Sequence, residues 1–478
     1  MNFCKNKIFE YLKNKSISLL GFGKSNRAVA SLLNELGLNF QVRDKHECYG
    51  MLENFKNSKI DSFFGENYLE DLNCDIIFRT PVIRPDIQEI SEAVKYGSIC
   101  SSEIDLFLKF CPTKNIFAVT GSDGKSTTTS LIYEILKSSG KDVFLGGNIG
   151  IPIISQIDNI SNDSFVVLEL SSFQLISCNI NPKVSIITNI SENHLDWHIN
   201  FNEYVLSKSN IFNNQSENNT LVINFDDELS KKISSNCKAS KRFFSLKHKL
   251  KNGSYLDSDG YLVHTKNQEV YKIIHKNDIK IPGIHNVSNF LSSICACLDY
   301  VSTDDIRYVA KNFPGLSHRI EFVRRINDVE YYDDSIASTP NRVINGSLSL
   351  FDKNIILIAG GYDKNLNYDE FANMVCRKVK ILILIGQTTD KIESCVLKLK
   401  SDRIPKIFKA SSMIEAVNFA YVNSSKNDKV LLSPACASFG MYNNFEERGN
   451  DFKLCVLSLE KLEGEFNDQK SVCKIVDR

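Results

Sequence analysis

The 478-residue sequence lacks an excess of charge of either sign, because 57 Lys and Arg residues balance 57 Asp and Glu residues. Without a net positive field, general binding of nucleic acid is disfavoured, although a local phosphate site is still open to the chain. The sequence also lacks any run that approaches the roughly 18 uninterrupted apolar residues of a membrane span. We therefore expect a soluble protein that binds neither nucleic acid nor a membrane.

The sequence shows neither an export signal nor a paired-cysteine motif. Residues 1–5 (MNFCK) contain no basic segment followed by the apolar run of a secretory signal. The 14 cysteines include no CxxC pair, and the closest two are Cys295 and Cys297. In an unexported chain this spacing favours buried or neutral thiols over a metal or redox site. The expected compartment is the reducing cytoplasm.

Short apolar runs alternate with helical patterns, which is typical of parallel α/β domains. A chain of this length has room for about three such domains. The runs cover residues 17–20, 75–78, 116–120, 165–170, 354–359, 381–385 and 430–432. We place domains at 1–103, 104–314 and 315–478, and expect each to have its own core. Residues 213–280 are rich in Asn, Ser and Lys with turn signals, which indicates hairpins or an elaborated edge sheet.

A glycine turn with a lysine follows the apolar run at 116–120 and leads into a helical pattern. Glycines let backbone N–H groups surround a phosphate, the lysine adds a positive charge, and a hydroxyl can bind Mg²⁺. The common GxxxxGK[ST] loop would need glycine where Val119 stands, so the loop has the shorter TGxxGKS form and a generic kinase or GTPase is disfavoured. The loop residues predicted to bind ATP are Gly121, Ser122, Asp123, Gly124, Lys125, Ser126 and Thr127.

Four polar residues after the loop are considered for a role in chemistry. Glu169 lies near the end of an apolar strand and is either a Mg²⁺ ligand beside Ser126 or a salt-bridged strand end. His194 and His198 have the i, i+4 spacing of a zinc-binding helix, but no third ligand matches. We expect His194 near Mg²⁺ or phosphate and His198 at the surface. From composition alone, Lys208 on the next helix is a solvated charge.

These motifs together resemble the Mur ligase family. The segments are GSDGKST (121–127), LELSSFQL (168–175) and ITNISENHLDWH (187–198), followed by Lys208. The resemblance implies three α/β domains, in which a Rossmann-like domain, a central P-loop ATPase domain and a second Rossmann-like domain follow each other. It also implies that ATP activates a carboxylate as an acyl phosphate, to which an amino acid is joined. The implied catalytic residues are Lys125, Glu169, His194 and Lys208.

The resemblance further implies two Mg²⁺ sites and a carbamylated Lys208. The implied metal residues are Ser126, Glu169, His194 and the Lys208 carbamate. Ser-Ser-Phe-Gln at 171–174 follows Glu169 and Leu170, whereas family members that add meso-diaminopimelate or lysine usually carry Ser-Ser-His. This difference favours the branch that adds D-glutamate to UDP-N-acetylmuramoyl-L-alanine in cytoplasmic peptidoglycan synthesis.

The first glycine turn, GFGKSN at 21–26, is a weak dinucleotide fingerprint, because Asn26 stands where the third glycine belongs. By resemblance this turn receives UDP rather than NAD. The loop at 79–85 resembles the second uridine-side loop of the family, with Val82 in place of its glycine. The residues implied to contact the UDP-substrate are Lys24, Ser25, Asp44, Thr80, Asn148 and Gln174.

The remaining implied sites lie towards the C-terminus. Asn289 of PGIHNVSN would reach adenine, unless Asn286 and Asn289 serve as helix caps. His318, Arg319 and Asp334 would also bind ATP, and Ile336 stands where the family usually has lysine. The residues implied to bind D-glutamate are Ser338, Lys364, Ser438 and the Phe445 backbone, although glycine turns and helix caps have the same pattern.

Three other functions remain open from the sequence. A different Mur or folylpolyglutamate ligase would share the central loop but use another amino acid. A non-catalytic homologue would bind UDP-sugar without turning over ATP, and an oxidoreductase would bind NAD at residues 21–44. We expect a monomeric enzyme with the small-molecule substrates ATP, UDP-N-acetylmuramoyl-L-alanine and D-glutamate.

Overall fold

The computed structural model describes residues 3–399, 401 and 403–459. The chain divides between Phe313 and Pro314 into two compact units. The first unit contains two sheets and the second contains one. No helix within the described ranges is long and apolar enough to cross a membrane.

The first sheet has five parallel strands in the order β3-β2-β1-β4-β5. The order reverses between β1 and β4, and ligands bind at such a switch point, outside the carboxyl ends of the strands. The strands are β1 (Ile17–Leu20), β2 (Phe40–Asp44), β3 (Ile60–Phe64), β4 (Ile76–Arg79) and β5 (Ile99–Ser101). The helices of this region are α1 (Phe3–Leu12), α2 (Lys24–Glu35), α3 (Tyr49–Leu52), α4 (Gln88–Lys95) and α5 (Glu103–Phe110).

The second sheet has nine strands in the order β14-β13-β12-β11-β10-β9-β6-β8-β7. The strands are β6 (Ile116–Thr120), β7 (Val143–Gly147), β8 (Phe165–Glu169), β9 (Val184–Ile187), β10 (Thr220–Asn224), β11 (Ser240–Ser245), β12 (Gly253–Leu256), β13 (Tyr261–Lys266) and β14 (Glu269–His275). Pairing is parallel from β7 to β12 and antiparallel from β12 to β14. The predicted elaborated edge is therefore confirmed.

Six α-helices and two 3₁₀-helices accompany the second sheet. They are α6 (Lys125–Ser138), α7 (Ser172–Leu175), α8 (Phe201–Ser209), α9 (Glu228–Ile233), α10 (Ile284–Cys297), α11 (Thr303–Asn312) and the 3₁₀-helices Ile153–Asn159 and Lys276–Asp278. One hydrophobic cluster continues from Leu33 of α2 through Phe107 of α5 and Ile154 to Leu168 of β8. The expectation of separate cores is wrong for this unit, because α5 and the first 3₁₀-helix bury apolar side chains between the two sheets. The predicted domain boundaries stay predictions.

The sheet of the second unit has six strands in the order β15-β16-β20-β17-β18-β19, with only β15 antiparallel to its neighbour. The strands are β15 (Glu321–Ile326), β16 (Val329–Asp333), β17 (Ile355–Ala359), β18 (Val379–Ile385), β19 (Lys406–Ala410) and β20 (Lys429–Leu432). The helices are α12 (Pro340–Asn345), α13 (Ser347–Leu350), α14 (Asp369–Lys378), α15 (Thr389–Lys398), α16 (Met413–Asn423) and α17 (Phe445–Ser458). The predicted fold class, α/β with mainly parallel sheets, is confirmed.

Candidate active site

The phosphate loop connects β6 to α6 and has the conformation that its glycines predict. Gly121 and Gly124 have φ values of +151° and +78°, which L side chains rarely adopt. A Cβ atom at Gly121 would lie 1.9 Å from Thr188 Oγ1, and one at Gly124 would lie 2.4 Å from Asn289 Oδ1. The loop therefore turns tightly into the N-terminus of α6, where the helix dipole favours an anion.

The segment after β9 holds the phosphate loop in place. The backbone N–H of Ser122 donates to the carbonyl of Asn189 at 2.9 Å, and that of Asp123 donates to Asn189 Oδ1 at 3.0 Å. Thr188 Oγ1 donates to the carbonyl of Asp123 at 2.6 Å. The Ser122 hydroxyl donates to the carbonyl of Ser191 at 2.9 Å. The sequence gives no role to Thr188 or Asn189 beyond their place at a strand end. The structure adds them to the site as supports of the loop.

Lys208 is buried against this loop, so its interpretation as a solvated charge is wrong. Its Nζ donates to the carbonyl of Gly121 at 2.7 Å and lies 4.5 Å from the Tyr204 ring centroid. The residue is only 1% exposed. Burial lowers the pKa of Lys208 well below its ordinary value, and repulsion from Lys125 lowers it further. Removal from water disfavours the ammonium form relative to the neutral amine.

Glu169 ends β8 beside the loop, in register with Val119 of β6. Its Oε1 accepts a hydrogen bond from Asn148 Nδ2 at 2.8 Å. Its Oε2 is buried and makes no hydrogen bond to the part of the chain that the structure describes. No cation lies within ion-pair distance of it in those ranges, so the salt-bridged strand end is excluded there. A buried carboxylate oxygen without a donor suits a hard cation such as Mg²⁺.

The two histidines after β9 occupy different environments. His194 is exposed, and its ring lies 5.0 Å from that of Phe173. His198 is only 3% exposed, so its predicted surface position is wrong. Its Nε2 lies 2.9 Å from Ser172 Oγ and its Nδ1 lies 3.1 Å from Glu203 Oε2. Both histidines precede α8, which begins at Phe201, so they do not share a helical face for zinc.

The residues predicted near uridine phosphate and ribose lie at the switch point of the first sheet. Asp44 Oδ2 accepts from the N–H of Phe22 in the glycine turn at 2.6 Å, and the N–H of Thr80 donates to the carbonyl of Leu20 at 2.9 Å. Lys24 and Ser25 form the first turn of α2, and Lys24 Nζ donates to the carbonyl of Gly150 at 2.6 Å. The structure thus brings Lys24, Ser25, Asp44 and Thr80 to one edge of the sheet.

Asn26 replaces the third glycine of the fingerprint for a structural reason. Its Nδ2 donates to the carbonyls of Leu20, Gly21 and Phe78 at 3.1, 2.7 and 2.8 Å. The buried amide therefore joins the carboxyl ends of β1 and β4, which a glycine could not do.

The other two residues predicted at the UDP-substrate make contacts inside the protein. Asn148 holds Glu169, as described above. Gln174 Oε1 accepts from the N–H and the hydroxyl of Ser171, both at 3.0 Å, in the capping box that starts α7. Contact of either side chain with the UDP-substrate stays a prediction.

Asn289 lies behind the phosphate loop on α10. Its Oδ1 accepts a long hydrogen bond of 3.4 Å from Thr128 Oγ1, and its Nδ2 donates to Asn286 Oδ1 at 3.2 Å. The N-cap of α10 is Gly283, so both asparagines lie within the helix and the capping alternative is wrong. A role for Asn289 at adenine stays a prediction.

In the second unit, His318 and Asp334 form part of a buried polar group at the carboxyl end of β16. His318 Nδ1 lies 2.7 Å from Asp333 Oδ2, and a Cβ at Gly449 would lie 2.2 Å from that nitrogen. Burial raises the pKa of Asp334 to about 7, although the Ser433 hydroxyl donates to its Oδ2 at 2.7 Å. Contacts of His318, Arg319 and Asp334 with ATP stay predictions.

Of the residues predicted to bind D-glutamate, Lys364 and Ser438 lie on loops that contact one another, and Phe445 begins α17. The N–H of Tyr362 donates to the carbonyl of Ala437 at 2.9 Å, which joins the loop of Lys364 to that of Ser438. The exposed Lys364 Nζ lies 5.7 Å from the Phe439 ring centroid. The role of these residues stays a prediction.

Arg448, which the sequence did not single out, connects these loops. It is 2% exposed, and its Nε donates to Ser335 Oγ at 3.0 Å. Its Nη1 donates to the carbonyl of Cys436 at 3.1 Å. Ser335 Oγ in turn donates to the carbonyl of Phe445 at 2.8 Å. Arg448 thereby joins the loop that precedes Ser338, the loop of Ser438 and the start of α17.

Comparison with known proteins identifies the family. A profile of the Mur ligase middle domain matches residues 119–297, and a profile of the Mur ligase glutamate ligase domain matches residues 318–436. A UDP-N-acetylmuramoylalanine–D-glutamate ligase from Acetivibrio thermocellus is 47% identical over 469 residues, which cover 96% of this chain and 100% of that protein. An enzyme of the same name from Clostridium botulinum (strain 657) is 44% identical over 96% of this chain and 99% of its own length.

Solved structures agree in fold. The UDP-N-acetylmuramate-alanine ligase MurC from Thermotoga maritima aligns with a TM-score of 0.56 at 20% identity, over 96% of this chain and 100% of that one. A UDP-N-acetylmuramoyl-L-alanyl-D-glutamate–2,6-diaminopimelate ligase aligns with a TM-score of 0.52 at 15% identity, over 83% and 86% of the two chains. The chain belongs to the Mur ligase family and, within it, to the UDP-N-acetylmuramoylalanine–D-glutamate ligases.

Proposed function

We propose that the chain is an ATP-dependent amide ligase that joins D-glutamate to the L-alanyl carboxylate of UDP-N-acetylmuramoyl-L-alanine and releases ADP and phosphate. The relatives named for this reaction, at 44% and 47% identity over nearly their full length, support it. The structural observation that carries it is the buried contact of Lys208 with Gly121 of the phosphate loop, next to the strand that ends in Glu169. The same assignment supports a cytoplasmic, monomeric enzyme of peptidoglycan precursor synthesis.

The L-alanyl carboxylate is a poor electrophile and has to be activated before an amine can attack it. Transfer of the γ-phosphoryl group of ATP to the L-alanyl carboxylate gives an acyl phosphate, and attack by the D-glutamate amine forms the amide and expels phosphate. The N–H groups of the loop at 121–127 would hold the ATP phosphates, and the Lys125 ammonium would neutralise their charge. The protein therefore contributes mainly by positioning the reactants and stabilising developing charge.

The donor set next to the loop fits Mg²⁺. The buried Oε2 of Glu169, without a donor in the described chain, and the Ser126 hydroxyl would hold one ion, and His194 with a modified Lys208 would hold a second. Bound Mg²⁺ would add positive charge next to the transferred phosphoryl group.

The modification proposed for Lys208 is a carbamate. The neutral amine adds to CO₂, so that an N–C bond forms, one N–H proton passes to solvent, and an anion replaces the cation. Burial of Lys208, which favours the neutral amine, supports this proposal.

Phosphate release with UDP-N-acetylmuramoyl-L-alanine, ATP and a panel of amino acids tests the proposed function. We expect release with D-glutamate and not with its enantiomer L-glutamate, meso-diaminopimelate or L-lysine. Equal use of L-lysine would place the protein with a different Mur ligase activity. Binding of the UDP-substrate without phosphate release under any condition would indicate a non-catalytic homologue.

A further inference from the structure

The uridine-side loop after β4 is attached to the first turn of α8 and to the segment that precedes this helix. The Arg84 guanidinium binds Glu203 with two hydrogen bonds, Nη2 to Oε1 at 2.8 Å and Nη1 to Oε2 at 2.9 Å. Arg84 Nη1 also donates to the carbonyl of Trp197 at 2.9 Å, and the indole Nε1 of Trp197 donates to the carbonyl of Val82 at 2.7 Å. The loop at 79–86 is thus held by a bidentate ion pair and an aromatic side chain.

Glu203 continues this connection through His198 to Ser172. Besides Arg84, Glu203 Oε2 accepts from the N–H of Ile199 at 2.9 Å and lies 3.1 Å from His198 Nδ1. His198 Nε2 lies 2.9 Å from Ser172 Oγ. The bond from Arg84 holds the pKa of Glu203 down at about 2, and burial lowers the pKa of His198. A neutral His198 can donate from Nδ1 to the carboxylate and accept the Ser172 hydroxyl at Nε2.

The two ends of this network lie close to residues of the proposed chemistry. Ser172 is the first residue of α7 and follows Glu169 by three positions. Glu203 lies in the first turn of α8 and Lys208 in its last, a separation of about 7.5 Å at 1.5 Å per residue. A displacement of Glu203 would therefore move α8, whereas a displacement of Ser172 would move the segment after Glu169.

We infer that Glu203 and His198 are positioning residues of the ligase, which hold the uridine-side loop against α8, which carries Lys208, and against α7, which follows the strand that ends in Glu169. The inference rests on the proposed function and adds residues to it. A partly exposed ion pair contributes little to stability, but a hydrogen-bonded network can fix a geometry. Small displacements of reacting groups cost up to about a hundredfold in rate, so the effect of breaking this network should appear in turnover.

Kinetic measurements on E203Q, H198N and H198Q test the inference. E203Q removes one of the two carboxylates that pair with Arg84 and leaves the other, Asp86, which belongs to the same loop as Arg84. The Asn amide of H198N can still reach Glu203 but not Ser172, and the longer Gln of H198Q can reach Ser172. We expect each variant to lower kcat about tenfold or more and E203Q also to raise the KM for the UDP-substrate, with the KM for D-glutamate unchanged.

D299N is the matched control. Asp299 pairs with Arg242 of β11, and the side chains in that pair are 28% and 11% exposed, close to the 22% and 18% of Glu203 and Arg84. Loss of either carboxylate should lower the unfolding temperature by a similar amount. Only the variants of Glu203 and His198 should change kcat, because the contacts of the Asp299 pair within the described ranges are with Lys266 and the Cys295 carbonyl rather than with the loops of the site.

Fluorescence adds a readout that does not depend on activity. The sequence contains one tryptophan, Trp197, and its indole contacts both Val82 and Arg84. Release of the uridine-side loop would expose this ring to water. We expect the emission of folded E203Q to shift to longer wavelength than that of the wild type, and the emission of D299N to match the wild type.

The outcomes separate this inference from the proposed function. If the wild type releases no phosphate with D-glutamate, the proposed function fails irrespective of the variants. If the wild type is active but E203Q, H198N and H198Q have the kcat and KM of D299N, the positioning role is overturned. If E203Q fails to fold, the kcat and KM of the two His198 variants, compared with those of D299N, decide whether the positioning role holds.

Discussion

The side-chain nitrogen of Lys208 lies 2.7 Å from the carbonyl oxygen of Gly121, at the point where β6 passes into the phosphate loop. This contact places the last turn of α8 against the loop that is expected to hold ATP. A buried lysine that has no acidic partner in the part of the chain that the structure describes is costly as an ammonium ion, so its position indicates a chemical role.

We expect K208A to lose nearly all phosphate release, because the anion proposed to hold Mg²⁺ would be absent. Short-chain carboxylic acids added to K208A should restore part of the activity by occupying the vacated space as a substitute anion. K232A, which removes an exposed lysine, serves as the control. If K208A releases phosphate at the wild-type rate at saturating Mg²⁺, the role of Lys208 is purely structural and the carbamate proposal is wrong.

Lys125 is expected to act on ATP alone. Its Nζ donates to the carbonyl of Ser122 at 2.8 Å, within the phosphate loop. K125A should lower phosphate release by about a hundredfold or more, the range for loss of one group that stabilises transition-state charge. Binding of UDP-N-acetylmuramoyl-L-alanine, measured by calorimetry, should stay near the wild-type value. Near-normal turnover in K125A would contradict the assigned phosphate loop.

The strand that leads into the phosphate loop could be predicted because its signals are local. The apolar run at 116–120 predicts a buried strand, and Gly121 and Gly124 have the positive φ values that their spacing requires. By contrast, Asn26 binds Phe78, which lies 52 residues further along the chain. No local sequence pattern predicts a contact between residues so far apart in the chain. From the sequence, the dinucleotide fingerprint at 21–26 therefore only lacked its third glycine, without a reason for the Asn.

His198 shows the same limit for the candidate site. Its sequence context indicated a surface position, but its two ring nitrogens contact Ser172 and Glu203 on different elements. The burial of a histidine is decided by the packing of loops after separate strands. The family resemblance implied roles for His194 and Lys208, whereas the contacts of Thr188 and Asn189 with the phosphate loop and of Glu203 with Arg84 became visible only in the structure.

Lys364 is expected to bind the side-chain carboxylate of D-glutamate. K364A should raise the KM for D-glutamate about tenfold or more, because a hydrogen bond to a charged group contributes about 1.5–3 kcal/mol. The KM for ATP should change far less. K391A is the control, since Lys391 already pairs with Asp363 of the same loop at 3.0 Å. An equal effect of both variants on D-glutamate would indicate that the loop, rather than the Lys364 charge, matters.

His264 should make the stability of the protein depend on pH. It is fully buried, its Nδ1 lies 2.8 Å from Ser254 Oγ, and its Nε2 has no hydrogen-bond partner within the described ranges. The pKa of His264 is lowered to about 4, mainly by burial. The positive charges of Arg242 and Lys266 also lower this pKa, whereas the negative charge of Asp299 raises it. The unfolded chain takes up this proton near pH 6.5 and the folded chain only near pH 4. Stability should therefore fall as the pH drops through that window, by up to about 3 kcal/mol.

Urea unfolding of the wild type and H264Q at pH 7 and pH 5 measures this effect. Gln cannot take up a proton in this range, so H264Q should lose less stability than the wild type between the two pH values, although it is less stable at pH 7. Other histidines contribute equally to both proteins, because the comparison changes only one ionisable group. The same loss in both proteins would show that protonation of His264 does not oppose folding, and that its unpaired nitrogen accommodates a charge inside the second sheet.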